Sequence, residues 1–200
     1  AGGRSVAWTA LRDRLRRARL LDAVEEGREA SPKDDCRLHR VTDDSRQAAP
    51  GSLFAAIRGA AADGHSFIDT AISNGACVVL CEEIPDRAAA RHPSVRFVQV
   101  RSSRAALAEA AAAFYGDPSR RLDMVGVTGT NGKTTVATLV HHLLSRLGTA
   151  AGLISTIEVR SGAGSTKSAL TTPGPVDLQR TLHGMVDDDC RACAMEVSSH

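Results

Sequence analysis

Gly126-Val127-Thr128-Gly129-Thr130-Asn131-Gly132-Lys133-Thr134-Thr135 is the stretch on which the reading of this chain turns. Before it lies an apolar run, Leu122 to Val127, that reads as a strand. After it, Thr134 to Leu147 carries Val136, Leu139, Val140, Leu143, Leu144 and Leu147 at helical spacing. Strand, glycine loop and helix form the phosphate-binding unit of a doubly wound α/β domain. A polyphosphate needs backbone N–H groups converging on it, a cation for its outer oxygens and a hydroxyl for Mg²⁺. Gly129 and Gly132 permit the close backbone approach, Lys133 is the cation, and Thr134 offers the hydroxyl at the helix start. Gly129, Thr130, Asn131, Gly132, Lys133, Thr134 and Thr135 are thus the candidate ATP-binding residues. The strict loop pattern would put a glycine at 127; here the glycines fall at 126, 129 and 132.

Such a site is completed by a carboxylate at the end of a neighbouring strand, which enters the Mg²⁺ shell. Ala192 to Val197 reads as a strand with Glu196 near its carboxyl end, so Thr134 and Glu196 are the candidate metal ligands. Between loop and carboxylate the sequence predicts a strand at Gly152-Leu153-Ile154, a flexible glycine- and serine-rich loop over Ser161 to Ser168, and a helix over Val176 to Met185. The chain contains no N-K-x-D base-reading motif and no arginine-rich lid after the loop, which weakens a GTPase or kinase reading.

Towards the amino terminus, Tyr115-Gly116-Asp117-Pro118-Ser119-Arg120-Arg121 combines glycine and proline and reads as a domain boundary, giving domains 1–118 and 119–200. The first domain opens on a helix with Leu11, Leu15, Ala18 and Leu21 on one face and several arginines on the other, read as a solvated surface. Arg40-Val41-Thr42 and Leu53 to Ile57 read as strands joined by a polar loop. Asp63-Gly64-His65 then opens a helical stretch closed by Asn74-Gly75, and Cys77 to Leu80 is a buried strand. A helix between strands predicts a βαβ crossover. Val95 to Val100 is a further strand, and Ser102 caps a helix reaching Phe114.

Composition bounds the function. The 200 residues hold 25 Lys and Arg against 23 Asp and Glu, a formal charge of +2, so no global field points to nucleic acid or an anionic membrane. The apolar runs are too short to span a bilayer. Five cysteines and no leader-like start predict reduced thiols in the cytoplasm, and Cys190 and Cys193 read as packed thiols despite their C-x-x-C spacing. A polyanion-binding role would have to come from a local site, and the oligomeric state stays open.

The loop form G-x-x-G-T-N-G-K-T-T resembles the ATP site of the Mur ligase superfamily, the ATP-dependent amide ligases of peptidoglycan precursor synthesis and their folylpolyglutamate relatives. Thr42-Asp43-Asp44-Ser45-Arg46, Gly51-Ser52-Leu53-Phe54-Ala55-Ala56, Gly59, Asp63-Gly64-His65, Ala71 and Gly75-Ala76 are similar to that family's small UDP-binding domain. Leu170-Thr171-Thr172-Pro173, Asp177-Leu178-Gln179 and Met195-Glu196-Val197-Ser198-Ser199-His200 resemble its MurE type, and the likeness runs from Val41 to the last residue.

The resemblance implies a small UDP-binding domain with a βαβ unit, followed by the start of a phosphate-loop α/β domain that binds ATP and Mg²⁺. It implies addition of a diamino acid to UDP-N-acetylmuramoyl-L-alanyl-D-glutamate through an acyl phosphate. By motif, Lys133 and Glu196 are catalytic, Thr171, Thr172 and Ser198 bind the muramoyl-peptide, and Ser45 binds the uridine nucleotide. The chain departs from the pattern at Asp43 and at Ala60-Ala61-Ala62. The family continues past Ser198-Ser199-His200 with a carbamylated lysine and a further domain, so the 200 residues read as a fragment, inactive alone. The alternatives are another Mur or folylpolyglutamate-type ligase and a non-catalytic ATP-binding module.

Overall fold

The computed structural model describes residues 4–28, 30, 36–59, 62–168 and 172–198. They form two compact units, Ala1–Phe114 and Tyr115–His200, each an α/β structure with its own sheet.

The first unit runs β1 (Val6–Ala7), α1 (Trp8–Arg17), β2 (Leu21–Glu26), β3 (Arg37–Leu38), β4 (Arg40–Thr42), β5 (Ser52–Ala55), α2 (Ile68–Ser73), β6 (Ala76–Cys81), α3 (Ala88–Arg91), β7 (Arg96–Val100) and α4 (Ser103–Phe114). Its main sheet has the order β2-β7-β6-β5-β4. Strands β4 to β7 are parallel and β2 closes one edge antiparallel to β7. The β5-α2-β6 crossover is the expected βαβ unit. Parallel strands are buried on both faces, and the residues alternate accordingly. Phe54, Val79, Cys81 and Phe97 pack with Ile68, Ala71 and Ala88, while Leu53, Val78, Leu80 and Val98 are also buried and α4 packs against β4, β5 and β6.

The opening helix ends earlier than its apolar spacing suggests. Arg19 adopts φ 57°, Leu20 N–H bonds back to Leu15 O, and Leu21 starts β2 instead of making a fourth contact on the helix face. The pairing of β2 with β7 satisfies the backbone there, and that long-range demand overrides the local helical pattern. Strands β1, β2 and β3 and the single turn α3 carry no clear period in the sequence.

The second unit runs β8 (Asp123–Val127), α5 (Lys133–Arg146), β9 (Ala151–Ile154), β10 (Glu158–Ser161), β11 (Gly164–Lys167), α6 (Pro175–Asp187) and β12 (Ala192–Glu196). The order is β11-β10-β9-β12-β8, with β9, β12 and β8 parallel and the β9-β10-β11 side antiparallel. Helix α6 covers one face through Leu182, Met185 and Leu178 against Ile154, Cys193 and Met195. Helix α5 covers the other through Ala137 and Val140 against Leu153, Ala194 and Val127.

Two features differ from the sequence reading. The stretch Ser161 to Ser168, expected as a flexible loop, is the turn and second strand of a hairpin with Ser161 opposite Gly164, and Gly164 takes φ 139°. All four β11 residues are exposed, so hydropathy gives no strand signal. In α5, Leu139, Leu143 and Leu147 are exposed, and the fully buried residue is Ala137. Its small side chain lets the helix lie close to β9 and β12, which a leucine there would prevent.

None of the five cysteines is joined in a disulfide. Burial pushes Cys193 up to about 12, as expected of a packed residue and not of a reactive one.

Candidate functional site

The loop after β8 departs at Val127 and enters α5 at Lys133. Gly129 (φ 141°) and Gly132 (φ 78°) occupy backbone regions that glycine favours. A Cβ on Gly132 would meet nothing within 4 Å, so the glycine is required by backbone conformation and leaves open space above the loop. Helix α5 begins without a side-chain cap, which leaves its first-turn N–H groups to an incoming anion. Lys133 Nζ donates to the carbonyl oxygens of Gly129 (2.7 Å) and Thr130 (3.5 Å) and so ties the loop to the helix start. Thr130, Asn131 and Thr135 are exposed and Thr134 is half-buried.

Strand β12 lies directly beside β8, with Glu196 opposite Val127 and the Val197 N–H donating to Val127 O at 2.9 Å. The loop and Glu196 therefore leave the carboxyl ends of neighbouring parallel strands, the place where open α/β sheets bind ligands. Glu196 is 1% exposed. Its carboxylate accepts from Thr156 N–H (2.7 Å, Oε1) and from the Thr156 hydroxyl (3.1 Å, Oε2).

Thr172 and Ser198 meet at the same strand end. Ser198 N–H donates to Thr172 Oγ1 at 3.0 Å, the two hydroxyl oxygens are 3.2 Å apart, and the Thr172 hydroxyl reaches Glu196 O at 3.3 Å. Thr171 lies outside the described residues, as do Ser199 and His200. The sequence reading missed Thr156. Its signal was position alone, in the turn just beyond β9.

The donor set suits Mg²⁺. Among the described residues no group of three or more His, Cys, Asp or Glu could hold a metal. One buried carboxylate and one helix-start hydroxyl are hard oxygen donors of the kind Mg²⁺ takes together with substrate phosphates and water.

The first unit carries a separate groove of about 610 Å³ lined by Asp43, Asp44, Ser45, Arg46, Phe67 and Thr70. Residues 43–46 follow the carboxyl end of β4, and Phe67 and Thr70 follow β5. Asp44 accepts from Arg46 N–H (3.0 Å), Arg46 Nε and Nη2 (both 2.9 Å) and Gln47 Nε2 (3.2 Å). The Arg46 guanidinium holds the Asp44 carboxyl down at about 2 against the opposing effect of burial. Ser45 is buried, and its carbonyl accepts from Asn74 Nδ2 at 2.9 Å.

The Asp63-Gly64-His65 motif fastens the segment that carries Phe67. Asp63 Oδ1 accepts from His65 N–H and lies 2.7 Å from His65 Nδ1, while Glu82 N–H donates to His65 Nε2. A Cβ on Gly64 would come within 2.5 Å of Ile57 N, so only glycine fits. Phe67 and Thr70 were not singled out in the sequence. Ala60 and Ala61 lie outside the described residues.

Residues 37–115 match the Mur ligase family catalytic domain and residues 127–200 the Mur ligase middle domain. The chain belongs to the Mur ligase family. Several similar curated proteins carry names of one kind. A UDP-N-acetylmuramoyl-L-alanyl-D-glutamate--2,6-diaminopimelate ligase of Chlorobaculum tepidum is 51% identical over 160 residues, covering 80% of this chain and 31% of that protein. A UDP-N-acetylmuramyl-tripeptide synthetase of Deinococcus radiodurans is 43% identical over 175 residues, covering 86% and 35%. The chain thus spans about a third of the length of the curated relatives it matches. Among solved structures, one of a UDP-N-acetylmuramoyl-L-alanyl-D-glutamate--2,6-diaminopimelate ligase superposes with TM-score 0.64 at 23% identity over 82% of this chain and 32% of that one. A further ligase of the family, from Acinetobacter baumannii, gives 0.60 at 19% identity over 100% and 38%. These structural likenesses carry the α/β fold.

Proposed function

We propose that the chain is the UDP-precursor-binding domain (1–118) and the first part of the ATP-binding domain (119–200) of a cytoplasmic, MurE-type amide ligase. Its reaction joins a diamino acid to UDP-N-acetylmuramoyl-L-alanyl-D-glutamate at the expense of ATP. The observation that carries this reading is the pairing of β12 with β8. It sets Glu196, Thr172 and Ser198 at the strand end beside the phosphate loop.

In this reading the loop N–H groups and the start of α5 hold the ATP phosphates. Lys133 turns from the carbonyls of Gly129 and Thr130 to the transferred phosphoryl group and offsets the charge that spreads over it. Thr134 and Glu196 hold Mg²⁺, which when bound neutralises phosphate charge. Thr171, Thr172 and Ser198 hold the muramoyl-peptide so that its terminal carboxylate faces the γ-phosphorus. Attack by that carboxylate oxygen releases ADP and leaves an acyl phosphate; the diamino acid's amine then attacks the acyl carbon and phosphate departs. In the first unit, Ser45 and the groove around it take the uridine nucleotide. The 200 residues alone are expected to bind these ligands without turnover, since the relatives are about three times as long.

The test is titration of the chain with ATP and Mg²⁺. Lys133→Ala is expected to weaken binding about tenfold or more, the worth of a charge-assisted hydrogen bond to phosphate, with the melting temperature unchanged. Equal affinity in the two proteins would remove the loop from the site.

A further inference from the structure

Glu196 is a carboxyl group withdrawn from water, and its buried oxygens need donors in place of the water they have lost. Here one residue supplies a donor to each oxygen. Thr156 N–H reaches Oε1 at 2.7 Å and the Thr156 hydroxyl reaches Oε2 at 3.1 Å. Two donors from a single residue hold both ends of the carboxylate and so fix its plane, which one donor would leave free to rotate.

Thr156 is in turn presented by a rigid turn. The buried Ser155 accepts through Oγ from Ile157 N–H (3.3 Å) and Glu158 N–H (3.1 Å). It also donates its own N–H to Glu158 O at 3.0 Å. The turn joins β9 to β10, and β9 pairs with β12, so the residue that holds the carboxylate and the strand that carries it belong to one sheet.

We propose that Thr156 is the positioning residue of the metal site: its hydroxyl fixes the Glu196 carboxylate so that the lone pairs Thr156 leaves over are available to Mg²⁺. This rests on the reading of Glu196 as a metal ligand. The backbone donor survives every substitution at 156 except proline, and the hydroxyl is the part that can be removed selectively. Partners of this kind, which orient a ligand without touching the metal, typically change metal affinity ten- to a hundredfold.

The experiment uses the 200-residue chain with Mn²⁺ as the probe, its binding in the presence of ADP read by electron paramagnetic resonance. ADP affinity is measured separately in EDTA, and each variant is checked by its melting temperature. Thr156→Val is expected to weaken Mn²⁺ binding about tenfold and to leave metal-free ADP affinity unchanged, while Thr156→Ser restores the wild-type value. Glu196→Gln is expected to weaken Mn²⁺ at least as much. If Glu196→Gln weakens Mn²⁺ and Thr156→Val does not, the ligand reading stands and the positioning role is overturned. If Glu196→Gln has no effect, the ligand reading itself fails and the proposal falls with it. A Thr156→Val variant that loses metal-free ADP affinity or melts much lower has a structural residue at 156, which also overturns the proposal.

Discussion

Asp44 and Lys133 each use a charged group to shape a short loop, and they differ in what a ligand can do to them. Asp44 is engaged by four donors from Arg46 and Gln47 and acts as the N-cap of the turn Ser45–Gln47. Its carboxyl is held at about 2, below the ordinary 3.8, chiefly by the Arg46 side chain. A depressed carboxyl contributes stability that is fully present above its unfolded value and disappears as the pH falls through the folded one. The turn beside the groove is thus expected to hold at neutral pH and loosen between about pH 4 and pH 2. Carbon-13 titration of the Asp44 carboxyl checks this; a midpoint near 4 would mean the Arg46 pairing does not persist in solution. Lys133, by contrast, is bound to carbonyls of its own loop, which a phosphate group can replace with a stronger, charged partner.

Helix α5 shows where sequence and structure part at the level of an element. Its existence, its start within one residue and its place after the glycine loop are all legible, because strand, glycines and lysine make one local pattern. The face it buries is not. The leucines define a stripe at helical spacing, yet the contact with the sheet is made by Ala137, 0% exposed, with Val140 beside it. Hydrophobicity ranks a leucine above an alanine, while close packing of a helix on a sheet favours the smaller one. Ala137→Leu is therefore expected to cost about 1–3 kcal/mol by overpacking, and Leu147→Lys, at a residue 81% exposed, to stay within about 0.5 kcal/mol. Chemical denaturation of the two variants separates them; equal effects would contradict the packing described for α5.

The hairpin β10–β11 and the strand β2 were illegible for a different reason. Each is held by pairing with a partner strand, β11 with β10 and β2 with β7, and not by any apolar pattern of its own. Thr156 belongs with them, since its importance comes from Glu196, forty residues away in sequence.

For the whole molecule, what the sequence conveyed best was the order of its parts: a unit with a βαβ crossover, then a glycine loop between strand and helix, then a strand ending in a carboxylate. Each part is a local motif at the carboxyl end of a parallel strand, and such motifs survive without knowledge of long-range pairing. The proposed function requires the chain to take the muramoyl-peptide precursor as a ligand. Calorimetric titration with UDP-N-acetylmuramoyl-L-alanyl-D-glutamate, against the same precursor lacking D-glutamate, tests that requirement most directly. Tighter binding of the full dipeptide precursor is expected, kept in Lys133→Ala because the lysine serves ATP. Failure of both precursors to bind, while ATP and Mg²⁺ still do, or equal binding of the two, would contradict it.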